Sequence, residues 1–195
     1  VDSVLNTLTL EEKIGQLFMV SAYSNRKESE YREMENLIRR YNVGGILFFQ
    51  GGPERQAALT NRYQAVAKVP MLIGLDAEWG LGMRLDSTIS YPRQLTLGGI
   101  SDNQLIYEMG YEIGRQLRRI GVNVNFAPVA DINSNPRNPV IGNRSFGDDK
   151  VNVSEKASAY MKGLQDQQVI AVAKHFPGHG DTNTDSHHTL PVLNH

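Results

Sequence analysis

Asp185 and His187 stand two residues apart near the end of the stretch Lys174–His188. In a loop bent by glycines, a carboxylate at that spacing can reach its neighbour's imidazole. It would fix the ring's tautomer and stabilise the imidazolium, leaving the far nitrogen free to exchange a proton. The same stretch holds Lys174, His175, His179 and Asp181, and all five histidines of the chain lie at or after His175. Histidines used only for packing would be scattered. His175, His179 and Asp181 offer a second chemistry, because imidazole and carboxylate together suit zinc or iron. Their H-x-x-x-H spacing sits in a Gly/Pro loop and lacks the Glu of H-E-x-x-H. A polar loop bonded to its own backbone is the plain alternative. Spacing alone leaves all three open.

Other residues sit where chemistry is possible. Asp76 closes an apolar run and is followed by Glu78. Paired carboxylates suit glycosidic chemistry or the recognition of hydroxyls, although a lone Asp more often caps a loop. Arg144 lies in Ile141-Gly-Asn-Arg-Ser-Phe146, a loop with few charges, where it clamps a ligand or ties the loop down. Lys174 leaves a strand and points at ligand oxygens or makes a surface salt bridge. Trp79, the single tryptophan, stacks on a sugar or packs.

The elements that must position these residues alternate. Thr9-Leu-Glu-Glu12 fits a capping box and opens a helix through Ile14, which runs into the apolar stretch Leu17–Val20. Helical spacing spans Glu28–Tyr41, and Ile46–Phe49 reads as a buried strand. Pro53 starts a helix carrying Ala57, Leu59, Tyr63 and Val66. Met71–Leu75 is the next strand, and a long connection runs from Ala77 to Ile100. Ser101-Asp-Asn-Gln104 reads as a second capping box for a helix to about Arg119. Val122–Phe126 is a strand, Asp131–Asp149 a loop, Asn152-Val-Ser-Glu155 a further cap, and Val169–Ala173 the fifth strand.

Five strands alternating with helices imply parallel pairing through crossovers. A doubly wound sheet and an eight-stranded α/β barrel both fit. The barrel is favoured because Asp76, Glu78, Asp131, Arg144, Lys174 and His175 all follow strand ends, where barrel sites are built. No G-x-G-x-x-G follows the first strand, and there is no phosphate loop with its Lys. The expected fold is therefore α/β, a TIM-type (β/α)8 barrel present as about five βα units. Residues 1–195 form one N-terminal portion of it, and the fifth strand's apolar edge is expected to be unpaired.

Composition narrows the partners. Lys plus Arg number 20 against 21 Asp plus Glu, so no basic excess favours nucleic acid. No apolar run reaches the length of a membrane span. There is no cysteine, which removes disulfides, thiolate ligands and thiol nucleophiles but leaves the compartment open. The start, Val1-Asp2-Ser3, shows neither initiator Met nor signal peptide, so a longer or processed parent is expected.

Lys174-His-Phe-Pro-Gly-His-Gly-Asp181, Asp185-Ser-His187 and Leu190-Pro191 closely resemble the signature of glycoside hydrolase family 3 β-N-acetylglucosaminidases of the NagZ type. Asn125–Asp131, Asn138–Phe146 and the opening helix Leu10–Leu17 resemble further blocks of that family, in the same order. The resemblance implies a bacterial enzyme that removes terminal, non-reducing β-linked N-acetylglucosamine with retention. Cell-wall muropeptides would be its usual substrates, in peptidoglycan recycling, and no metal or organic cofactor would be needed. It implies His187 as acid/base and Asp185 as its partner. Asp76, Arg84, Arg144, Lys174 and His175 would bind the sugar. The family nucleophile is an Asp on a later strand, and no residue here matches it, so this chain alone is expected to be inactive. The family's usual Gly-Gly-Arg after the Glu is replaced by Trp79-Gly80-Leu81, which alters the rim beside the sugar. Two rival readings remain: a metal-dependent hydrolase using the His/Asp loop, and a non-catalytic sugar-binding module.

Overall fold

A computed structural model describes residues 1–192. The elements run α1 (Asp2–Leu5), α2 (Leu10–Gly15), β1 (Met19–Ala22), α3 (Glu28–Tyr41), β2 (Gly45–Phe48), α4 (Pro53–Gln64) and β3 (Leu72–Leu75). They continue through α5 (Gln94–Gly98), α6 (Asn103–Arg119), β4 (Val124–Asn125), α7 (Lys150–Asp166) and β5 (Ile170–Ala171). All four strand pairings are parallel, and the order across the sheet is β1-β2-β3-β4-β5. A doubly wound sheet reverses direction from an inner strand. Sequential order without reversal is instead the order of an α/β barrel, here through its fifth unit.

The core lies between strands and helices. Ile46, Ile73 and Leu75 of the sheet are fully buried, as are Ile113 and Leu117 of α6 and Tyr160 of α7. Helices α6 and α7 pack closely because Gly163 has no side chain; a Cβ there would lie 2.3 Å from the Tyr107 carbonyl oxygen. The Tyr160 hydroxyl donates to Ala77 O at 2.9 Å, so α7 supports the turn just after β3.

Several element boundaries differ from those read in the sequence. The Thr9–Glu12 capping box forms. The next two caps do not sit where expected. Asp102, not Ser101, caps α6 by accepting from Gln104 N at 2.9 Å. Asp149 caps α7 by accepting from Asn152 N at 2.7 Å. In both cases a nearby aspartate also adds a negative charge at the helix N-terminus. Helix α4 ends at Gln64, before Val66, and the Gln64 side-chain amide bonds both backbone groups of Met71. The strands are shorter than the apolar runs. Beyond β4, Pro128 has no N–H, and the chains cross by irregular bonds such as Ala130 N to Lys174 O at 2.7 Å. The long connection contains α5, whose buried Gln94 bonds both backbone groups of Val129.

Among the described residues, β1 and β5 each pair on one side only. Leu17 and Phe18 stand exposed before β1, and Ile170 is exposed on β5. An apolar groove of about 530 Å³ lined by Ile14, Phe18, Val20, Leu37 and Tyr41 flanks the β1 edge.

Candidate active site

The loops that follow the strands bring five charges to one place. Asp76 follows β3, and its buried neighbour Glu78 lies two residues on. Alternation along an extended chain would send both side chains to the same face. Asn125 of β4 holds this turn by accepting from Ala77 N at 3.0 Å. Lys174 follows β5, and its Nζ bridges Asp76 Oδ1 at 2.9 Å and Glu78 Oε1 at 2.7 Å. Arg84 reaches back eight residues to Asp76 Oδ2 at 2.6 Å. The Arg144 fork binds Glu78 with Nε at 3.0 Å and Nη2 at 2.7 Å.

Burial alone would push the Asp76 and Glu78 carboxyls up. Lys174 and Arg84 around Asp76, and Arg144 and Lys174 around Glu78, outweigh it and hold both below their usual range. Both groups are therefore anions with their oxygens already engaged. They suit positioning and hydroxyl recognition better than attack on a sugar carbon.

Asp131, after β4, organises the histidine loop. Its Oδ2 accepts from the His175 ring Nδ1 at 2.6 Å and from His175 N at 3.2 Å. Its Oδ1 accepts from His179 N at 2.7 Å. Burial raises the Asp131 carboxyl, and the His175 and His179 donors more than reverse the effect. The Lys174–His175 and Phe176–Pro177 peptides are cis. Gly180 then passes against the Asp131–Ile132 segment, where a Cβ would stand 1.7 Å from Ile132 O. His175 Nε2 faces Arg144 Nη2 at 3.5 Å.

Asp185 and His187 meet. His187 Nδ1 lies 2.6 Å from Asp185 Oδ1, and His187 N donates to the same oxygen at 2.8 Å. These two donations, backbone first, hold the Asp185 carboxyl below its ordinary value. The carboxylate only accepts, so Nδ1 carries a proton and Nε2 is the nitrogen left to exchange one. A cleft of about 450 Å³ is lined by Asp76, Glu78, Arg84, Arg144, Lys174, His175 and His187, with Phe49 and Met83 as apolar walls. Of the residues that the family resemblance assigned to the site, all but Asp185 line it, and Asp185 binds one that does. The His187 side chain is 72% exposed, so it stands at the mouth of the cleft and not on its floor.

The structure favours one side of two alternatives that the sequence left open. The candidate metal ligands do not converge: among the described residues no three His, Asp or Glu side chains form a metal-holding group. His175 Nδ1 is taken by Asp131, and His179 faces the Thr182 hydroxyl at 2.6 Å and the Ser186 hydroxyl at 2.9 Å. Trp79 is absent from the cleft lining and instead carries the Arg93 guanidinium 3.4 Å from its ring centre. Asp131 and Glu78 stood among the strand-end residues read from the sequence, but neither was given a role in the site. Both follow strands as Asp76 does, and that placement was the available signal.

The sequence profile described as "Glycosyl hydrolase family 3 N terminal domain" matches residues 9–195. Beta-hexosaminidase A of Pseudoalteromonas piscicida is 38% identical over 84% of this chain and 29% of its own length. Beta-hexosaminidase LpqI of Mycobacterium tuberculosis is 34% identical over 95% of this chain and 48% of its own length. The chain thus spans less than half of either relative. Among solved structures, a glycoside hydrolase family 3 β-N-acetylglucosaminidase from Paenibacillus sp. superposes with TM-score 0.86 at 40% identity, covering 95% of this chain and 36% of that one. A β-glucoside phosphorylase, BglX, superposes with TM-score 0.88 at 25% identity, over 95% of this chain and 33% of its own. With its sequential parallel strands and its charges gathered at their ends, this chain belongs to the glycosyl hydrolase family 3 N-terminal domain family.

Proposed function

We propose that this chain supplies the sugar-binding and acid/base half of a retaining exo-β-N-acetylglucosaminidase. The observation that carries the reading is the Asp185–His187 pair, 2.6 Å apart, at the mouth of a cleft walled by fixed charges. In this reading Asp76, Arg84, Arg144, Lys174 and His175 bind the terminal sugar. Carboxylate oxygens accept from sugar hydroxyls, and the guanidinium and ammonium groups donate to them. His187 Nε2 protonates the glycosidic oxygen as the bond breaks and later takes a proton from the attacking water. General acid/base help of this kind is worth about 10²–10⁴ in rate.

A retaining reaction also needs a carboxylate nucleophile. The cleft's own Asp76 and Glu78 are tied to cations, so we assign that role to sequence outside these 195 residues. The greater length of the relatives supports this. A histidine donor beside an anionic nucleophile avoids the repulsion between two carboxylates. The names of the relatives support a hexosamine substrate, and muropeptides carrying terminal N-acetylglucosamine are the proposed natural form. The chemistry asks for no metal or organic cofactor. No helix among the described residues is long and apolar enough to cross a membrane.

The test is product stereochemistry. The complete protein is mixed with an aryl β-N-acetylglucosaminide and followed by proton NMR. Retention predicts β-N-acetylglucosamine as the first anomer, unaffected by chelator. Initial α-anomer, or activity abolished by chelator, would overturn the reading.

A further inference from the structure

Among the described residues, few hydrogen bonds hold the segment carrying Asp185 and His187. Its backbone bonds close on themselves: His188 N and Thr189 N both donate to Asp185 O, at 3.0 and 2.9 Å. Among the described residues, a single hydrogen bond ties residues 183–192 to the rest of the chain, from Ser186 Oγ to His179 Nε2 at 2.9 Å. Ser186 is the residue between the two members of the acid/base pair. Fixing it fixes the backbone on either side.

His179, by contrast, is anchored from every direction. It is only 7% exposed. Its N–H donates to Asp131, its carbonyl accepts from Asn138 Nδ2 at 2.6 Å, and its Nδ1 meets Thr182 Oγ1 at 2.6 Å. Asn138 also donates to Thr182 Oγ1 at 3.2 Å, closing the network. A serine hydroxyl both donates and accepts, so its bond to His179 survives either ring tautomer.

We infer that His179 is a positioning residue: it latches Ser186 and thereby holds His187 over the cleft that Asp131 and His175 help to build. The inference rests on the acid/base reading of His187 above, but its structural half can be measured without catalysis. Ser186→Ala removes one hydroxyl from an exposed segment and leaves the His179 anchors in place. In the complete protein, amide hydrogen exchange at His187, His188 and Thr189 should rise roughly fivefold to tenfold, the scale of one lost hydrogen bond. Turnover of an unactivated β-N-acetylglucosaminide should fall by a similar factor, with KM little changed. Turnover of a nitrophenyl glycoside, which needs little protonation, should fall far less. Ser186→Thr, which keeps the hydroxyl, should restore both exchange and turnover.

Exchange and turnover of Ser186→Ala within about twofold of the parent, well inside the scale of one hydrogen bond, would overturn the latch. His187→Ala, run in parallel, separates the two claims. If it loses both substrates equally, the acid role fails, and the exchange result alone decides whether the latch exists.

Discussion

Asp131 Oδ2 lies 2.6 Å from His175 Nδ1, and this contact fixes which edge of the imidazole is turned to the cleft. An ionised carboxylate only accepts, so Nδ1 holds the ring proton and Nε2 presents a lone pair beside Arg144. Asp131→Asn cannot keep all three bonds: with its NH2 toward His175 it opposes the His175 N–H and turns Nε2 into the donor, and with its NH2 toward His179 it opposes the His179 N–H and frees the loop. The variant should bind N-acetylglucosamine at least about tenfold more weakly by calorimetry, the scale of a mispaired charged hydrogen bond. Unchanged affinity would mean that His175 does not read the sugar through Nε2.

Glu78 is wholly buried and holds both Arg144 and Lys174. Glu78→Leu strips two cations of their shared partner. Arg144 keeps 19% exposure, so the cost should fall near the lower end for a broken buried pair, about 3 kcal/mol. Melting temperature should drop by roughly 6–12 °C. A drop under about 2 °C would show that solvent already screens the pair.

Acid should unfold the protein through the same carboxylates. Asp76, Glu78 and Asp131 are held below ordinary values of 3.8, 4.5 and 3.8. As pH falls, the unfolded chain takes up protons at those ordinary values, and the folded chain takes them up only lower. The stability these groups contribute is complete above pH 4.5 and is lost as pH falls through their depressed folded values. Melting temperature should therefore fall below that pH, and less steeply in Asp131→Asn. Parallel acid limbs would contradict the assignment.

In the proposed reaction Asp185 serves the chemistry and adds almost nothing to stability. Among the described residues, its hydrogen-bond partners all lie within its own exposed loop. Asp185→Ala should melt within a degree or two of the parent, as expected for a substitution on an exposed loop. Turnover of unactivated glycosides by the complete protein should nonetheless fall by roughly 10² or more. A large loss of melting temperature with normal turnover would place Asp185 in the fold and not in the reaction.

Much of this arrangement was legible because strand ends carry a signal of their own. Asp76, Lys174 and His175 each terminate an apolar run, and the structure brings all three to one cleft. The Asp185–His187 contact followed from spacing, because two residues in a tight turn cannot lie far apart. Asp131 was harder to assign. It ends an apolar run too, but its partners His175 and His179 lie 44 and 48 residues away, and spacing cannot report that meeting. His179 resembled a metal ligand for the same reason: the hydroxyls of Thr182 and Ser186 that occupy its nitrogens are common loop residues. Strand lengths were overstated because apolar runs continue into segments where Pro128 interrupts the ladder. Helix starts slipped where several cap-forming residues stood side by side, as at Ser101 and Asp102.

The most direct test of the proposed proton donor compares His187→Ala with the parent on two substrates, using the complete protein. One is a β-N-acetylglucosaminide with an alkyl or sugar leaving group, and the other is its dinitrophenyl counterpart. Loss of a proton donor predicts a kcat/KM deficit of about 10²–10⁴ on the first and less than about tenfold on the second. Equal deficits on both would contradict the account.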